Sequence, residues 1–217
     1  MSKHHPLLLC WLAALLPLVT THLSYGVSLW EGVIPGCVPY WADCVSISRT
    51  GRHGTAYWLF KALMLPASVL LLVFWLQSRS WLIGQGLAPS RWMLPLALLA
   101  TLALMTYTLT LGHGSGHFPV VRRAGVAGFI FCTYLVQVSV GAALYQSGHW
   151  RRSGSQVLAL STLILAIALL TLVLDVAMGE AYERWEDAFE WWLFLLLNGQ
   201  LFVILLIRRE GERVRSI

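Results

Sequence analysis

Residues Ser155–Met178 read SQVLALSTLILAIALLTLVLDVAM, with one charge, Asp175, close to the end. A helix crossing the hydrocarbon of a bilayer needs roughly 20 predominantly apolar residues. Only helices and closed barrels satisfy their backbone in lipid, and barrel strands would alternate apolar and polar residues over about ten positions. This stretch is apolar on every face, so it predicts a transmembrane helix. Working outward, five further runs have the same character, over residues 6–29, 56–77, 92–112, 124–146 and 187–207. The expected fold class is all-α: a polytopic membrane protein with a six-transmembrane-helix bundle and both termini cytoplasmic. Residues 1–217 form a single membrane domain, and the loop over residues 30–55 lies on the outer side.

Composition agrees. Hydrophobic residues make up 58% of the chain and charged residues 12%, against about half and a quarter in soluble domains. Mean hydropathy is +0.69. Too little polar surface remains to cover a water-soluble body. A soluble enzyme, a disordered tail and a nucleic-acid binder are therefore excluded, despite a pI near 9.3. The first run, with Lys3 before its leucines, could also be read as a signal peptide. No small-x-small cleavage site stands out after Val19, so retention as a helix is the expectation. Pro17, Pro66 and Pro95 fall in or near spans, where neighbouring helices absorb a bend.

Basic residues set the orientation. With cytoplasmic termini, the inner side holds Lys3, Arg79, Arg91, Arg151, Arg152, Arg208, Arg209, Arg213 and Arg215, nine in all. The outer side holds six: Arg49, Arg52, Lys61, Arg122, Arg123 and Arg184. The acids polarise further, since Glu31, Asp43, Glu180, Glu183, Glu186 and Asp187 are all outer. Asp175 and Glu190 sit just inside the outer membrane boundary, and ionisable groups at that depth face partners or cavities. Cys37 and Cys44, in the outer loop, suit a disulfide on an oxidising face; two unpaired thiols are the alternative. Cys10 and Cys132 lie in apolar helices, where a free thiol usually only packs.

Several features could carry chemistry. In GHGSGHFPVVRR, His113 and His117 stand four apart, a metal spacing on a helix, but the intervening glycines argue against a helix and no metal is expected. None of the seven histidines is central in a span, so no haem and no other cofactor is expected. Glu183, Glu186 and Glu190 repeat at helical spacing and share a face, with Asp187 beside them. Arg49, Arg52, Arg122 and Arg123 are their natural counter-charges. Two readings stand: a structural ion-pair network, or a lipid-headgroup site in which guanidinium forks grip phosphate. The headgroup candidates are Arg49, Arg52, His53, Arg122, Arg123 and Glu190. No nucleophile elbow, zinc-protease helix, phosphate loop or CxxC is present, and Ser46 and Ser48 near His53 do not define a triad.

Val45-Ser46-Ile47-Ser48-Arg49-Thr50-Gly51, followed by an aromatic-rich span, resembles the first-loop pattern of the Frag/DRAM/Sfk group of six-span membrane proteins. Gly116-His117-Phe118 with Arg122-Arg123-Ala124-Gly125 and Phe129 is similar to the motif entering that group's fourth helix. Glu190-Trp191 resembles the Glu-Trp motif of its last helix. By the resemblance Ser48, Thr50, Gly51, Gly125, Glu190 and Trp191 carry over; Arg49 stands where the group tends to have Asp, and Arg122 where it tends to have His. Relatives include autophagy modulators, plasma-membrane lipid regulators and proteins needed for GPI-anchor lipid remodelling, so the resemblance implies a lipid-linked function.

Two function classes follow. The first is a protein that binds, senses or organises membrane lipid, an anionic phospholipid or a glycolipid, through a charged outer pocket. The second is a lipid-remodelling enzyme that transfers or hydrolyses acyl or headgroup groups, with His113, His117, Glu186 and Glu190 as acid–base candidates. A transporter is a weaker third reading, because midplane sites and internal repeats are not seen. Asn198 forms no glycosylation acceptor. A bacterial cytoplasmic membrane is the expected location, with a eukaryotic endomembrane or plasma membrane as the alternative.

Overall fold

The computed structural model describes residues 5–214, so Lys3 and Arg215, counted above on the inner side, lie outside the described residues. The helices are α1 (His5–Trp30), α2 (Ile47–Thr50, a single turn), α3 (Gly54–Gly84), α4 (Met93–Thr110), α5 (Phe118–Tyr145), α6 (Arg151–Met178) and α7 (Glu183–Val214). A 3-10 turn, Gly179–Ala181, joins α6 to α7. No strand occurs among the described residues. Six of these helices, all but α2, are long and apolar enough to cross a membrane. The chain is an all-α, six-span, multi-pass integral membrane protein. An even number of crossings puts both described ends on one face and the Cys37–Cys44 loop on the other.

The spans outrun their apolar cores. α3 continues through Gln77-Ser78-Arg79-Ser80 to Gly84, and α7 runs from Glu183 to Val214. Polar residues flanking an apolar run still form helix well, and only Gly or Pro stops them sharply. α3 ends next to Gly86, which adopts φ +74°. Pro17 and Pro66 sit inside continuous helices. Pro95 falls in the first turn of α4, where its missing N–H removes no intrahelical bond.

α1, α3, α4, α5, α6 and α7 pack in chain order as a ring that α7 closes against α1, while α5 and α7 touch only sparsely across the middle. Lipid tails are as apolar as leucine, so contact rests on close packing and interhelical hydrogen bonds. Gly125 of α5 lies so near α4 that a Cβ there would stand 2.9 Å from the Tyr107 nitrogen and 3.0 Å from the Ala103 carbonyl oxygen. Gly154 of α6 abuts the backbone of Leu144 and Tyr145 in the same way. Gln137 Nε2 donates to the Leu197 carbonyl at 2.9 Å, tying α5 to α7. Gln200 Nε2 donates to Ser161 Oγ at 2.7 Å, tying α7 to α6. The core holds Phe60, Phe74, Trp75 and Trp191. Leu169, Leu172, Val173 and Val176 of α6 face outward, as lipid permits.

Arg208, counted above among the inner basic residues, is buried at that end of the bundle. Its Nε donates to Glu212 Oε1 at 3.0 Å, Nη1 to Cys10 Sγ at 3.2 Å and Nη2 to Gln77 Oε1 at 3.2 Å. Cys10 also donates to Gln77 Oε1 at 3.2 Å, so this thiol belongs to a polar knot linking α1, α3 and α7.

Candidate functional site

The site grows from the first turns of α7. Asp187 and Glu190 stand three apart on one face, and Trp191 follows. The outer loop folds back over them. The backbone of Ser46 and Ile47, at the start of α2, lies beside the Asp187 and Glu190 carboxylates. Trp191 Nε1 donates to the Val45 carbonyl at 2.8 Å, and Trp192 Nε1 to the Tyr40 carbonyl at 3.1 Å. Cys37 and Cys44 are bridged, with Cα atoms 5.5 Å apart. Arg184 grips Asp43 with Nη2 at 2.6 Å and Nε at 2.9 Å, and accepts the Asp43 N–H on its own carbonyl at 2.8 Å. This exposed fork holds the Asp43 carboxyl below its ordinary value, through its hydrogen bond first and its charge second. His22 Nδ1 donates to the Leu18 carbonyl at 2.7 Å, so its Nε2 accepts from the Tyr40 hydroxyl at 2.7 Å. Burial raises the Tyr40 pKa, which keeps that phenol a donor.

The predicted basic residues divide into two groups. Arg52 and Arg122 are half-buried, while Arg49, His53 and Arg123 are exposed. Arg49, Arg52, Arg122, Asp187, Glu190 and Tyr107 are near enough to act on one another electrostatically. Arg52 Nη2 donates to Ser48 Oγ at 2.6 Å, while its buried Nε has no hydrogen-bond partner. Burial, then the adjacent Arg122 charge, lowers the Arg52 pKa from its ordinary value. Arg122 Nη1 donates to the His113 carbonyl at 3.3 Å. Arg123 does not join this group. The expected ion-pair network does not form: among the described residues the ion pairs within 4.0 Å are Asp43–Arg184 and Arg208–Glu212. The outer charges gather without neutralising each other.

Three cavities surround them. A narrow, almost wholly apolar slot of about 40 Å³ runs down the bundle centre, lined by residues including Ile47, Phe60, Tyr107, Val126, Ile130 and Glu190. A groove of about 240 Å³ between α5, α6 and α7 is lined by Ile130, Asp175, Tyr182, Glu186, Glu190 and Leu193, among others. It opens sideways, since Leu172 on its wall is 62% exposed. Slot and groove share Ile130 and Glu190. Above them on the aqueous side an open polar bowl of about 690 Å³ is lined by Glu31, Arg52, His53, Thr55, Tyr57, Trp58 and His113, with Gly54 and Gly112. A Cβ on Gly51 would meet Leu111 and Phe60, of which Phe60 lines the slot.

The four acid–base candidates divide. Glu186 and Glu190 share the groove, Glu190 also lining the slot, whereas His113 lines the bowl and His117 is an exposed residue preceding α5. Among the described residues no three His, Cys, Asp or Glu side chains are grouped to hold a metal ion. Of the remaining motif residues, Ser48 accepts from Arg52, Thr50 is buried and its carbonyl accepts from Ser28 Oγ at 2.7 Å, and Gly125 packs on the Tyr107 backbone. The sequence reading missed Tyr107, a buried phenol lining the slot near Glu190, because one tyrosine in an apolar span carries no signal of its own. It also missed the clasp formed by Tyr40, Trp191 and Trp192, since interfacial aromatics are expected wherever a helix leaves the membrane.

Fold and site define a polytopic integral membrane protein with a charged outer end built over an apolar slot. Comparison of the chain with family models, with curated proteins and with solved structures finds no match in any of the three.

Proposed function

We propose that this protein binds a membrane lipid, with an acyl chain entering the narrow central slot as α5 and α7 part and an anionic headgroup at Arg52 and Arg122. The observation that carries the reading is the sharing of Glu190 and Ile130 between the apolar slot and the lateral groove. A lipid can pass from the bilayer into the bundle there without its chain crossing water. Pockets that take amphiphiles combine mostly apolar walls with a few placed polar groups. Arg52 contributes an unpartnered buried Nε, and guanidinium forks suit phosphate. The Frag/DRAM/Sfk resemblance, which implies lipid-linked function, fits the same reading. With basic loops inside, the headgroup faces the exterior of a bacterial cytoplasmic membrane. The dispersal of His113, His117 and Glu190 among different surfaces favours binding over catalysis.

Native mass spectrometry of the protein released from mild detergent tests this. Wild type is expected to carry a bound phospholipid, Arg52→Ala with Arg122→Ala to lose most of it, and Arg123→Ala to keep it. Val126→Phe, which fills the slot from its apolar side, is expected to lose the lipid with the arginines intact. Unchanged lipid in both the double variant and Val126→Phe would overturn the proposal.

A further inference from the structure

The outer bowl is a different cavity from the slot, and its lining carries a different message. Glu31, at the end of α1, accepts the Thr55 N–H at 3.1 Å on each carboxylate oxygen. This caps α3 with a neutral donor and leaves the negative charge unpaired. Arg52, on the same bowl, spends one nitrogen on Ser48 and leaves Nε without a partner. Neither residue belongs to an ion pair among the described residues. A bare anion in the bowl would be repelled by Glu31, and a bare cation by Arg52. A ligand carrying both signs satisfies both.

The aromatic residues say which cation. Tyr57 and Trp58 stand edge to face with ring centroids 5.0 Å apart. The Tyr57 ring already carries Lys61 Nζ, 4.1 Å from its centroid. Trp58 is 70% exposed, lines the bowl and offers its ring to a further cation. An indole face beside a carboxylate suits a quaternary or primary ammonium. A guanidinium fork suits a phosphate, with His53, Thr55 and His113 at hand as further polar groups.

We infer that the outer bowl binds a phosphate ester bearing an ammonium group, of the phosphocholine and phosphoethanolamine class. The ammonium sits between Trp58 and Glu31, and the phosphate lies at Arg52. Such a group comes either from a soluble ester or from the headgroup of a neighbouring lipid, and the site recognises the chemistry common to both. The bowl ligand's phosphate and the slot lipid's headgroup share Arg52, so the two compete for that guanidinium, whereas Glu31 and Trp58 line the bowl and not the slot.

Isothermal titration of the full chain in phosphatidylglycerol nanodiscs, with phosphocholine as the probe, provides the test. Saturable binding is expected, with choline alone and inorganic phosphate alone each at least tenfold weaker. Glu31→Gln keeps an acceptor for the Thr55 N–H and loses the charge; it and Trp58→Leu are each expected to weaken binding at least tenfold. Val126→Phe should bind phosphocholine normally even as it loses slot lipid, so the two sites fail separately. Repeating the titration in phosphatidylcholine nanodiscs distinguishes the sources: the response vanishes if bilayer headgroups fill the bowl and persists if the ligand is soluble. No saturable phosphocholine binding in phosphatidylglycerol nanodiscs would overturn the inference. So would choline or phosphate alone matching phosphocholine, or full affinity in Glu31→Gln and Trp58→Leu folded like wild type by thermal unfolding.

Discussion

Trp191 is buried, and its indole N–H reaches the Val45 carbonyl, so one side chain joins the last helix to the outer loop. Trp191→Phe keeps most of the packing and orphans that carbonyl, at a cost of about 1 kcal/mol, readable as a lower melting temperature in detergent. The Asp43–Arg184 fork gives a pH expectation with a definite sign. The folded Asp43 pKa is depressed, so its contribution is fully present above the unfolded value of about 3.9 and is lost as pH falls through the lower folded value. Protection of the Cys37–Cys44 loop against hydrogen exchange, taken relative to the intrinsic rate at each pH, should therefore stay flat between pH 8 and pH 5 and fall only under strongly acid conditions; in Asp43→Asn it should be lowered throughout that range. At this scale the sequence was legible where a residue broke the local pattern. Glu190 stands out as an acid before Trp191-Trp192-Leu193. Arg208 does not, because a basic residue after an apolar span looks the same whether it snorkels to water or turns back onto Cys10 and Gln77.

The outer loop behaves as an element, closed by one disulfide and seated on α7 through Asp43, Val45 and Tyr40. Replacing Cys37 and Cys44 by Ser removes a cross-link over a short loop, an effect of about 2–3 kcal/mol. Wild-type melting should fall on adding reductant while the double variant is indifferent to it. The α4–α5 crossing rests on Gly125, whose hydrogen faces the α4 backbone. Gly125→Ala forces two packed helices apart, costing about 1–3 kcal/mol, and thermal unfolding of the reconstituted protein measures it. Existence and number of the spans were plain from hydropathy, because lipid demands continuous apolar length. Their ends were not, because polar residues there, Ser78-Arg79-Ser80 in α3 and Glu183, Arg184 and Glu186 in α7, adopt helical conformation. The turn Ile47–Thr50 was invisible as well, since four residues hold no period and it forms against α7.

Across the whole molecule the bundle is bound firmly at both ends, and the thin contact between them is that of α5 with α7. The inner end is tied by Arg208, Cys10, Gln77 and Glu212. The outer end is tied by the clasped loop, while α5 and α7 meet sparsely around the slot and groove. Ile130→Cys on α5 and Leu193→Cys on α7, joined by a short bismaleimide in a Cys132→Ala background, should slow exchange of slot lipid severalfold against the unlinked pair, as read by native mass spectrometry over time. Equal exchange in linked and unlinked protein would place the port elsewhere. The cluster's composition could be read from the placement of scarce charges, but its lack of ion pairs could not, because separation is set by how α2 and α5 seat on α7. A cask offers the mechanical picture. Hoops at head and foot hold the staves, and one seam between two staves is left unglued. Such a vessel admits and releases its contents through the seam while its rims keep their shape, so filling and emptying need no rearrangement of either end.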